Sequence, residues 1–358
     1  MSQAGPTDTA SQAPRTEGSR IAVVVNGNAK SVSSEVIATL DQILEGGDLY
    51  ISRRVEDSEA IAATLLDRGY DTILTGGGDG TFTVVVTAVV KAARLRGIQP
   101  PRFGLLRLGT GNSLAWVLGA SQMGSGARAA RALSADVARL RADAGSRPLP
   151  LVEVEGMLSP FCGFGIDANV LHDYTQTKSF FARTPFARAA AGIATYAVAA
   201  ATRTIPEYLF KQTPHCRVIN RGRDAYRIGP SGAPLGGPLR SGAVLYEGPA
   251  TIAALSTIPY YGFGFRVFPY AEERQGYMQL RVSTISSVIF VRHFSEIWRG
   301  TYYNPEVLFD FYVDAVDLEL DPATNFQIGG DIMGERTRVS AKLTDPIRVA
   351  DFYSPPRA

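Results

Sequence analysis

The sequence predicts an α/β nucleotide-binding domain, with a parallel sheet and helices on both faces, followed by an antiparallel β-sandwich-like domain. From Arg20 to residue 148, short β-branched runs alternate with helical patterns, which is typical of a parallel sheet covered by helices. From Leu151 onward, strand-like runs follow one another without regular helices between them, which indicates antiparallel strands. The predicted divisions are a flexible tail (1–19), an α/β domain (20–148) and a β-rich domain (149–358).

The composition is that of a globular protein without a global charge field. The chain has 358 residues, of which 45% are hydrophobic and 20% are charged, so it can bury a sizeable core. The formal net charge is +2, and no overall basic surface favours nucleic acid as a partner. The two cysteines and three histidines lack the spacing of a metal site.

Neither a signal peptide nor a membrane span is predicted. The first 19 residues are rich in small and polar residues and carry no apolar block behind a positive start. The longest apolar stretch, Ala189–Ala201, is shorter than the roughly 20 residues that cross a bilayer. We therefore expect a cytoplasmic protein that associates peripherally with the inner face of the membrane.

Local signals place the elements of the first domain. Ser33 or Ser34 can cap a helix that runs through Leu44, and Gly46 follows it where a helix end favours a residue that tolerates positive φ. Gly69 is predicted to stop the next helix. The predicted strands are Ile21–Val25, Leu49–Arg53, Asp71–Leu74 and Phe103–Leu106, and the predicted helices after the first are Ser58–Arg68, Phe82–Arg96 and Ala127–Ala142.

The second domain has strand-like runs separated by turn residues. The predicted strands are Leu151–Glu155, Ala250–Ile258, Met278–Val282, Val316–Leu320, Val339–Leu343 and Ile347–Phe352. The Pro- and Gly-rich stretch Gly229–Gly242 is predicted to be a long surface loop.

The main glycine loop, Gly76–Thr81, has the features of a phosphate site. Four glycines surround Asp79 between a strand and a helix, where backbone N–H groups and helix polarity favour an anion. Because Asp79 would repel a bare phosphate, we expect a bridging Mg2+ or water, and hence a nucleotide with a metal ion. A tight turn that requires glycines is the structural alternative, but such a turn rarely needs four.

Two further loops follow predicted strands. The first loop is Asn26–Ser31 and the third loop is Gly109–Asn112. Both are expected at the carboxyl edge, where open α/β sheets bind ligands. Neither the P-loop nor the dinucleotide-binding spacing is present.

The order of these motifs resembles a known family. The first loop, the main loop, Leu108–Asn112 and Gly163–Ala168 occur in the order found in the diacylglycerol kinase catalytic-domain family, which includes sphingosine and ceramide kinases and bacterial soluble lipid kinases. NAD kinases and 6-phosphofructokinases share the main loop or a near variant, whereas the third loop is more selective. The resemblance covers nearly everything after residue 19.

The resemblance implies a lipid kinase. Such an enzyme uses ATP and Mg2+ to phosphorylate a lipid hydroxyl, with diacylglycerol as the first expected acceptor and a sphingoid base or ceramide next. Asp79 is the candidate metal residue and, with Asp331, a candidate catalytic residue. The candidate nucleotide contacts are Asn26, Asn28, Lys30, Gly77, Gly78, Asp79, Gly80, Thr81, Gly109, Thr110 and Asn112.

The chain also departs from the family pattern. Ser113 replaces the usual Asp after the third loop, and Thr83–Val86 lacks the usual acidic residue. Bacterial members often hold a structural Mg2+ at an Asp-rich turn, but the corresponding Tyr270–Gly276 contains Glu and no Asp.

The departure closest to the chemistry lies near the C-terminus. The family reads Asp-Gly-Glu, with the Asp as proposed base, whereas this chain has Gly329 at that position. Asp331 can orient the acceptor hydroxyl if the loop is reshaped, or it can merely cap a turn. The alternatives to a lipid kinase are therefore an NAD kinase-like enzyme and a catalytically silent regulator that binds nucleotide or lipid.

A membrane contact is predicted for Lys178–Arg188. The segment interleaves three phenylalanines with three basic residues. Aromatic rings favour the headgroup boundary, and each basic residue near an anionic leaflet contributes about 1 kcal/mol. The alternative is that these phenylalanines pack beneath the neighbouring Ala-rich helix.

Overall fold

Two sheets organise the described residues and confirm the predicted fold class. The first sheet is mostly parallel and is covered by helices, and the second is antiparallel. The computed structural model describes residues 20–29, 32–44, 48–54, 56–109, 112–121, 127–142, 145–165, 213–262 and 264–353.

The first sheet has the strand order β2-β1-β3-β4-β18-β5. Its strands are β1 (Ile21–Asn26), β2 (Leu49–Ser52), β3 (Thr72–Gly77), β4 (Arg102–Arg107), β5 (Ser146–Leu149) and β18 (Ile347–Ala350). The helices of this domain are α1 (Ser34–Ile43), α2 (Asp57–Asp67), α3 (Asp79–Leu95), α4 (Ser113–Leu118) and α5 (Ala127–Arg141).

The predicted domain boundary differs from the observed one at the C-terminal end. Ile347–Phe352 was expected in the second domain, but β18 inserts between β4 and β5 of the first sheet. Val349 and Ala350 are fully buried there, so the first domain needs a strand from the far end of the chain. A boundary placed along the sequence cannot represent this return.

The second sheet builds the β-rich domain, with strands mostly antiparallel to their neighbours. The strands before the return to the first sheet are β6 (Val152–Val154), β7 (Met157–Ser159), β8 (Phe161–Gly165), β9 (His215–Asn220), β10 (Ala225–Ile228), β11 (Pro234–Leu239), β12 (Val244–Pro249), β13 (Ile252–Ser256), β14 (Met278–Ser283), β15 (Leu308–Val313), β16 (Ala315–Ile328) and β17 (Asp331–Leu343). Two short helices, α6 (Ser287–Arg292) and α7 (Phe294–Arg299), lie between β14 and β15.

The predicted surface loop Gly229–Gly242 instead contains β11. This strand pairs with β10 at the end of the sheet, and its residues are almost all exposed. Glycine and proline are tolerated in an edge strand because one side has no neighbour to pair with.

Helix α3 connects the two domains. Its buried residues Phe82, Val85, Val86 and Val89 recur at helical spacing and join the first core. On another side, the Thr87 hydroxyl accepts the backbone N–H of Leu158 at 2.9 Å, next to β7 of the second domain. No helix in the described part of the chain has the length and apolar content that a membrane crossing requires.

Shortening Val349 to Ala should destabilise the first sheet. The side chain is fully buried, and removing its methyl groups costs about 2 kcal/mol. Urea unfolding should show the loss, and hydrogen exchange should rise at the β4 amides. Arg348→Ala, on the exposed side of the same strand, is the control. Unchanged exchange in β4 after Val349→Ala would contradict the placement of β18.

Candidate functional site

The carboxyl ends of β1, β3 and β4 form the centre of the site. Parallel pairing aligns Val25 with Gly76, and Gly77 with Arg107, so the strands end side by side. The first loop, the main loop and the third loop leave the sheet at this edge, as the sequence predicts. This is the sheet edge at which open α/β folds bind ligands.

The N-terminus of α3 faces this edge without a side-chain cap. Gly78 is the N-cap residue, and no described side chain caps the helix. The first intrahelical bond to this end is donated by Phe82 N–H to the Gly78 carbonyl, which leaves the preceding turn of N–H groups directed outward. A 17-residue helix with free N–H donors provides the partial positive charge that binds phosphate.

Glycines allow the main and third loops to touch. A Cβ atom at Gly109 would overlap the backbone of Gly78, and a Cβ atom at Gly77 would overlap the side chain of Thr81. Gly78 itself has space, since a Cβ atom placed there would lie 3.7 Å from its nearest neighbour, Gly109 Cα. Gly77 and Gly109 are therefore required for close packing at this edge, and the predicted nucleotide contacts of the glycines stay a prediction.

Asp79 joins the two loops through its carboxylate. Its Oδ2 atom accepts the N–H of Ser113 at 2.7 Å, and its Oδ1 atom accepts the N–H of Leu114 at 3.0 Å. Both donors belong to the first turn of α4, so Asp79 satisfies two N–H groups that this helix leaves unpaired. Burial raises the pKa of Asp79, and the N–H donors of Leu114 and Ser113 oppose that shift.

The asparagines of the site are also held by loop contacts. Asn112 adopts a left-handed conformation with φ of 47°, and its Oδ1 atom accepts the N–H of Gly109 at 3.1 Å. Asn26 Oδ1 accepts the N–H of Asn28 at 2.9 Å, and Asn28 donates to the Arg53 carbonyl at 2.7 Å. These side chains fix the shapes of the first and third loops.

Asp331 reaches the main loop from the second domain. Its carboxyl group lies against Gly80, where a Cβ atom would overlap Asp331 Oδ2. The surrounding protein raises the pKa of Asp331, and the charge of Asp79 raises it further, although the residue keeps contact with solvent. The structure thus brings together two residues that are 252 positions apart, as the sequence prediction requires.

Gly329 cannot be replaced by the carboxylate residue of the family. It has φ of +60°, and a Cβ atom there would lie 2.5 Å from Thr83 Oγ1 and 3.1 Å from Ser159 Oγ. Gly329 and Gly330 form the two-residue turn between β16 and β17, in which Ile328 pairs with Asp331. The turn therefore presents Asp331 at the main loop and keeps Gly329 packed against α3.

Comparison with known proteins finds a family match for the first domain. Residues 20–145 match the model of the diacylglycerol kinase catalytic domain. The three loops described above lie within the matched residues.

One curated relative is named "Probable lipid kinase YegS" and comes from Escherichia fergusonii. It is 33% identical over 96 residues, which is 26% of this chain and 31% of that protein. The chain thus matches about a third of the relative's length.

Solved structures share the fold of this chain over most of its length. A diacylglycerol kinase from Bacillus anthracis str. Sterne has a TM-score of 0.54 at 14% identity, covering 94% of this chain and 98% of that one. Another structure from the same strain has a TM-score of 0.60 at 13% identity with the same coverage. At these identities the likeness is one of fold.

Several predicted site residues lie outside the described residues. They are Lys30, Thr110, Ile166–Ala168 and the whole segment Lys178–Arg188. Their predicted roles stay predictions.

The turn Tyr270–Gly276, which corresponds to the Asp-rich turn of the family pattern, carries the positive charge of Arg274. The Arg274 guanidinium lies 4.2 Å from the centre of the Tyr226 ring and 4.9 Å from that of Tyr277. Glu272 of the same turn forms an ion pair with Arg147. The described residues contain no group of three or more His, Cys, Asp or Glu side chains that could hold a metal ion.

Arg107 and Trp116 lie beside the three loops, and the sequence analysis did not identify them as site residues. Arg107 is the last residue of β4, and its guanidinium stacks on Trp116 of α4 at 4.7 Å. Arg107 stands two positions before Gly109, at the end of an apolar strand. A charged residue at that place was the sequence signal that could have indicated a site residue.

Removing the Asp79 carboxylate should loosen the contact between the main loop and the start of α4. Asp79→Ala leaves the N–H groups of Ser113 and Leu114 without their acceptor, and each buried unpaired donor costs about 1–3 kcal/mol. Urea unfolding should show lower stability, and both amides should exchange faster. Asp345→Ala removes an exposed carboxylate and is the control. Unaltered exchange at Ser113 and Leu114 would mean that Asp79 does not hold this loop.

Proposed function

We propose that this chain is a lipid kinase that uses ATP and Mg2+ to transfer the γ-phosphate to a lipid hydroxyl. Diacylglycerol is the first expected acceptor, and a sphingoid base or ceramide is the next. The family of the first domain supports the reaction class. The observation that carries the proposal is the Asp331 carboxyl group against Gly80, because it adds a candidate base to a phosphate-type loop.

The described residues of the site fit a nucleoside triphosphate. The uncapped N-terminus of α3 offers N–H donors, and the glycines at positions 77, 78, 80 and 109 let backbone approach closely. When bound, Mg2+ would neutralise charge on the phosphates. The Asp79 carboxylate accepts the N–H groups of Ser113 and Leu114 and interacts with the Ser113 side chain, so we propose that Asp79 acts on a hydrated metal ion through water.

Asp331 is proposed to orient and deprotonate the acceptor hydroxyl. A base works best when its pKa lies near the working pH, and burial and the Asp79 charge both raise the pKa of Asp331. The base must be ionised to accept a proton, so activity should fall as the pH drops through this raised pKa. The acidic limb of the kcat/KM profile should therefore lie above the ordinary aspartate pKa of about 4.

Asp331→Asn should lower kcat by about 100-fold or more, since a positioned general base contributes at least that much. The assay follows labelled γ-phosphate into vesicle-borne diacylglycerol, sphingoid base and ceramide, with NAD as a further acceptor. Asp345→Asn is the matched control, because Asp345 is exposed on the same domain. The acidic limb should disappear from any residual activity of Asp331→Asn.

The competing functions give different results in this assay. Transfer to NAD and to no lipid would favour the NAD kinase-like alternative. Nucleotide binding without transfer to any acceptor would favour a silent regulator, which the glycine at position 329 motivates. Normal turnover by Asp331→Asn would exclude Asp331 as the base.

Contact with the membrane is proposed for Lys178–Arg188. Replacing Phe180, Phe181 and Phe186 by Ser should weaken binding to anionic vesicles by about tenfold or more, because Ser lacks the apolar ring area that the membrane would bury. Cosedimentation with vesicles measures the binding, and circular dichroism checks the fold. Vesicle binding that is unchanged in a folded variant would remove this proposal, and unfolding would favour the alternative that the rings pack in the core.

A further inference from the structure

Arg107 lies at the carboxyl edge of the first sheet, where β1, β3 and β4 end side by side. Gly77 and Arg107 are paired across β3 and β4, and Asn26 follows the pair of Val25 and Gly76. Neighbouring residues in register on parallel strands project from the same face of a sheet. Asn26 Nδ2 lies 3.4 Å from Thr81 Oγ1, and a Cβ atom at Gly77 would also meet Thr81. Arg107 therefore projects on the face of the sheet where α3 begins.

The ring of Trp116 fixes the orientation of the Arg107 guanidinium. The Arg107 Cζ atom lies 4.7 Å from the centre of this ring. Trp116 is held in turn by the second domain, since its ring centre lies 6.3 Å from that of Tyr260, and Gly264 leaves space for the indole. A guanidinium stacked through one face keeps its edge N–H groups available for a planar fork of hydrogen bonds.

The Arg107 charge has no carboxylate partner among the described residues. Its side chain forms no ion pair or hydrogen bond with any of them; burial lowers the pKa of its guanidinium, and the nearby Tyr353 hydroxyl opposes this shift. The adjacent Trp116 Nε1 atom is buried and also lacks a hydrogen-bond partner in the described part of the chain. These groups are all donors, so the cluster fits a ligand that offers only acceptor oxygens.

We propose that Arg107 binds phosphate oxygens of the nucleotide held by the glycine loops, with Trp116 as its support. This role rests on the nucleotide part of the proposed function and adds a side-chain cation to a site otherwise built from backbone N–H groups. Arginine recognises phosphate through paired N–H donors. The same chemistry is present in the headgroup of a phosphorylated lipid, so the test includes both sources.

The test uses the full-length chain and its own tryptophan as reporter. The sequence contains two tryptophans, Trp116 and Trp298, so a Trp298→Phe background leaves Trp116 as the only one. Calorimetry measures the dissociation constants of ATP, adenosine and lysophosphatidic acid for this background protein and for its Arg107→Gln and Arg107→Lys variants. Arg240→Gln removes an exposed positive charge from the second domain and is the matched control.

Arg107→Gln should raise the dissociation constant of ATP by about tenfold or more, which corresponds to a charge-assisted hydrogen bond, and should leave that of adenosine unchanged. The dissociation constant of ATP for Arg107→Lys should lie between those of the background protein and Arg107→Gln, because an ammonium group keeps the charge and loses the paired N–H donors. ATP, but not adenosine, should change the Trp116 emission of the background protein. Arg240→Gln should bind ATP like the background protein, with the same thermal midpoint in all variants.

Three results would overturn the role of Arg107. They are an ATP affinity within twofold of the background value, an equal loss for adenosine and ATP, and a loss confined to lysophosphatidic acid. Failure of the proposed function is distinguishable: if ATP binding depends on Arg107 but no lipid is phosphorylated, the kinase proposal fails and the anion site stands. A wild-type chain that does not bind ATP would overturn both.

Discussion

The candidate site depends on one buried carboxylate. Asp79 stands in the first turn of α3 and accepts two N–H groups from the first turn of α4, so it joins loops that follow different strands. Burying a charge is costly unless hydrogen bonds compensate, and here they come from a helix end that would otherwise leave its donors unpaired. Contact between Gly78 and Gly109 completes the join. The charge that the sequence assigns to metal thus also holds the protein together.

The second domain takes its position from the same helix. Thr83 donates to Ser159 Oγ at 3.2 Å, and Thr87, four residues later, accepts the N–H of Leu158. Residues four apart share one face of a helix, so this face fits the end of the second sheet. The N–H of Gly329 donates to the Phe161 carbonyl at 3.0 Å. The hairpin turn is therefore fixed relative to the phosphate loop by backbone and hydroxyl contacts.

Local signals made most of the first domain predictable from the sequence. Ser33 caps α1 by accepting the N–H of Val36 at 3.2 Å, and Gly69 has φ of +66° just after α2, as its type and position predict. Pairing between distant segments could not be predicted, because β18 has the same apolar pattern as any buried strand. In the same way, the spacing of the main loop indicates phosphate, but the bonds of Asp79 to α4 require the fold.

Asp331, the proposed base, lies close in space to the residue that it replaces in the family pattern. A two-residue turn reverses the chain, so Asp331 lies across from Ile328 and beside the residues that Gly329 contacts. Gly329 meets Thr83, whereas Asp331 meets Gly80, three residues nearer the start of α3. Three residues span about 4.5 Å along a helix axis. A carboxylate at position 331 therefore lies nearly one helical turn closer to the main loop than one at position 329 would. The glycine at 329 is thus compatible with the proposed role of Asp331, because a Cβ atom at 329 would meet Thr83.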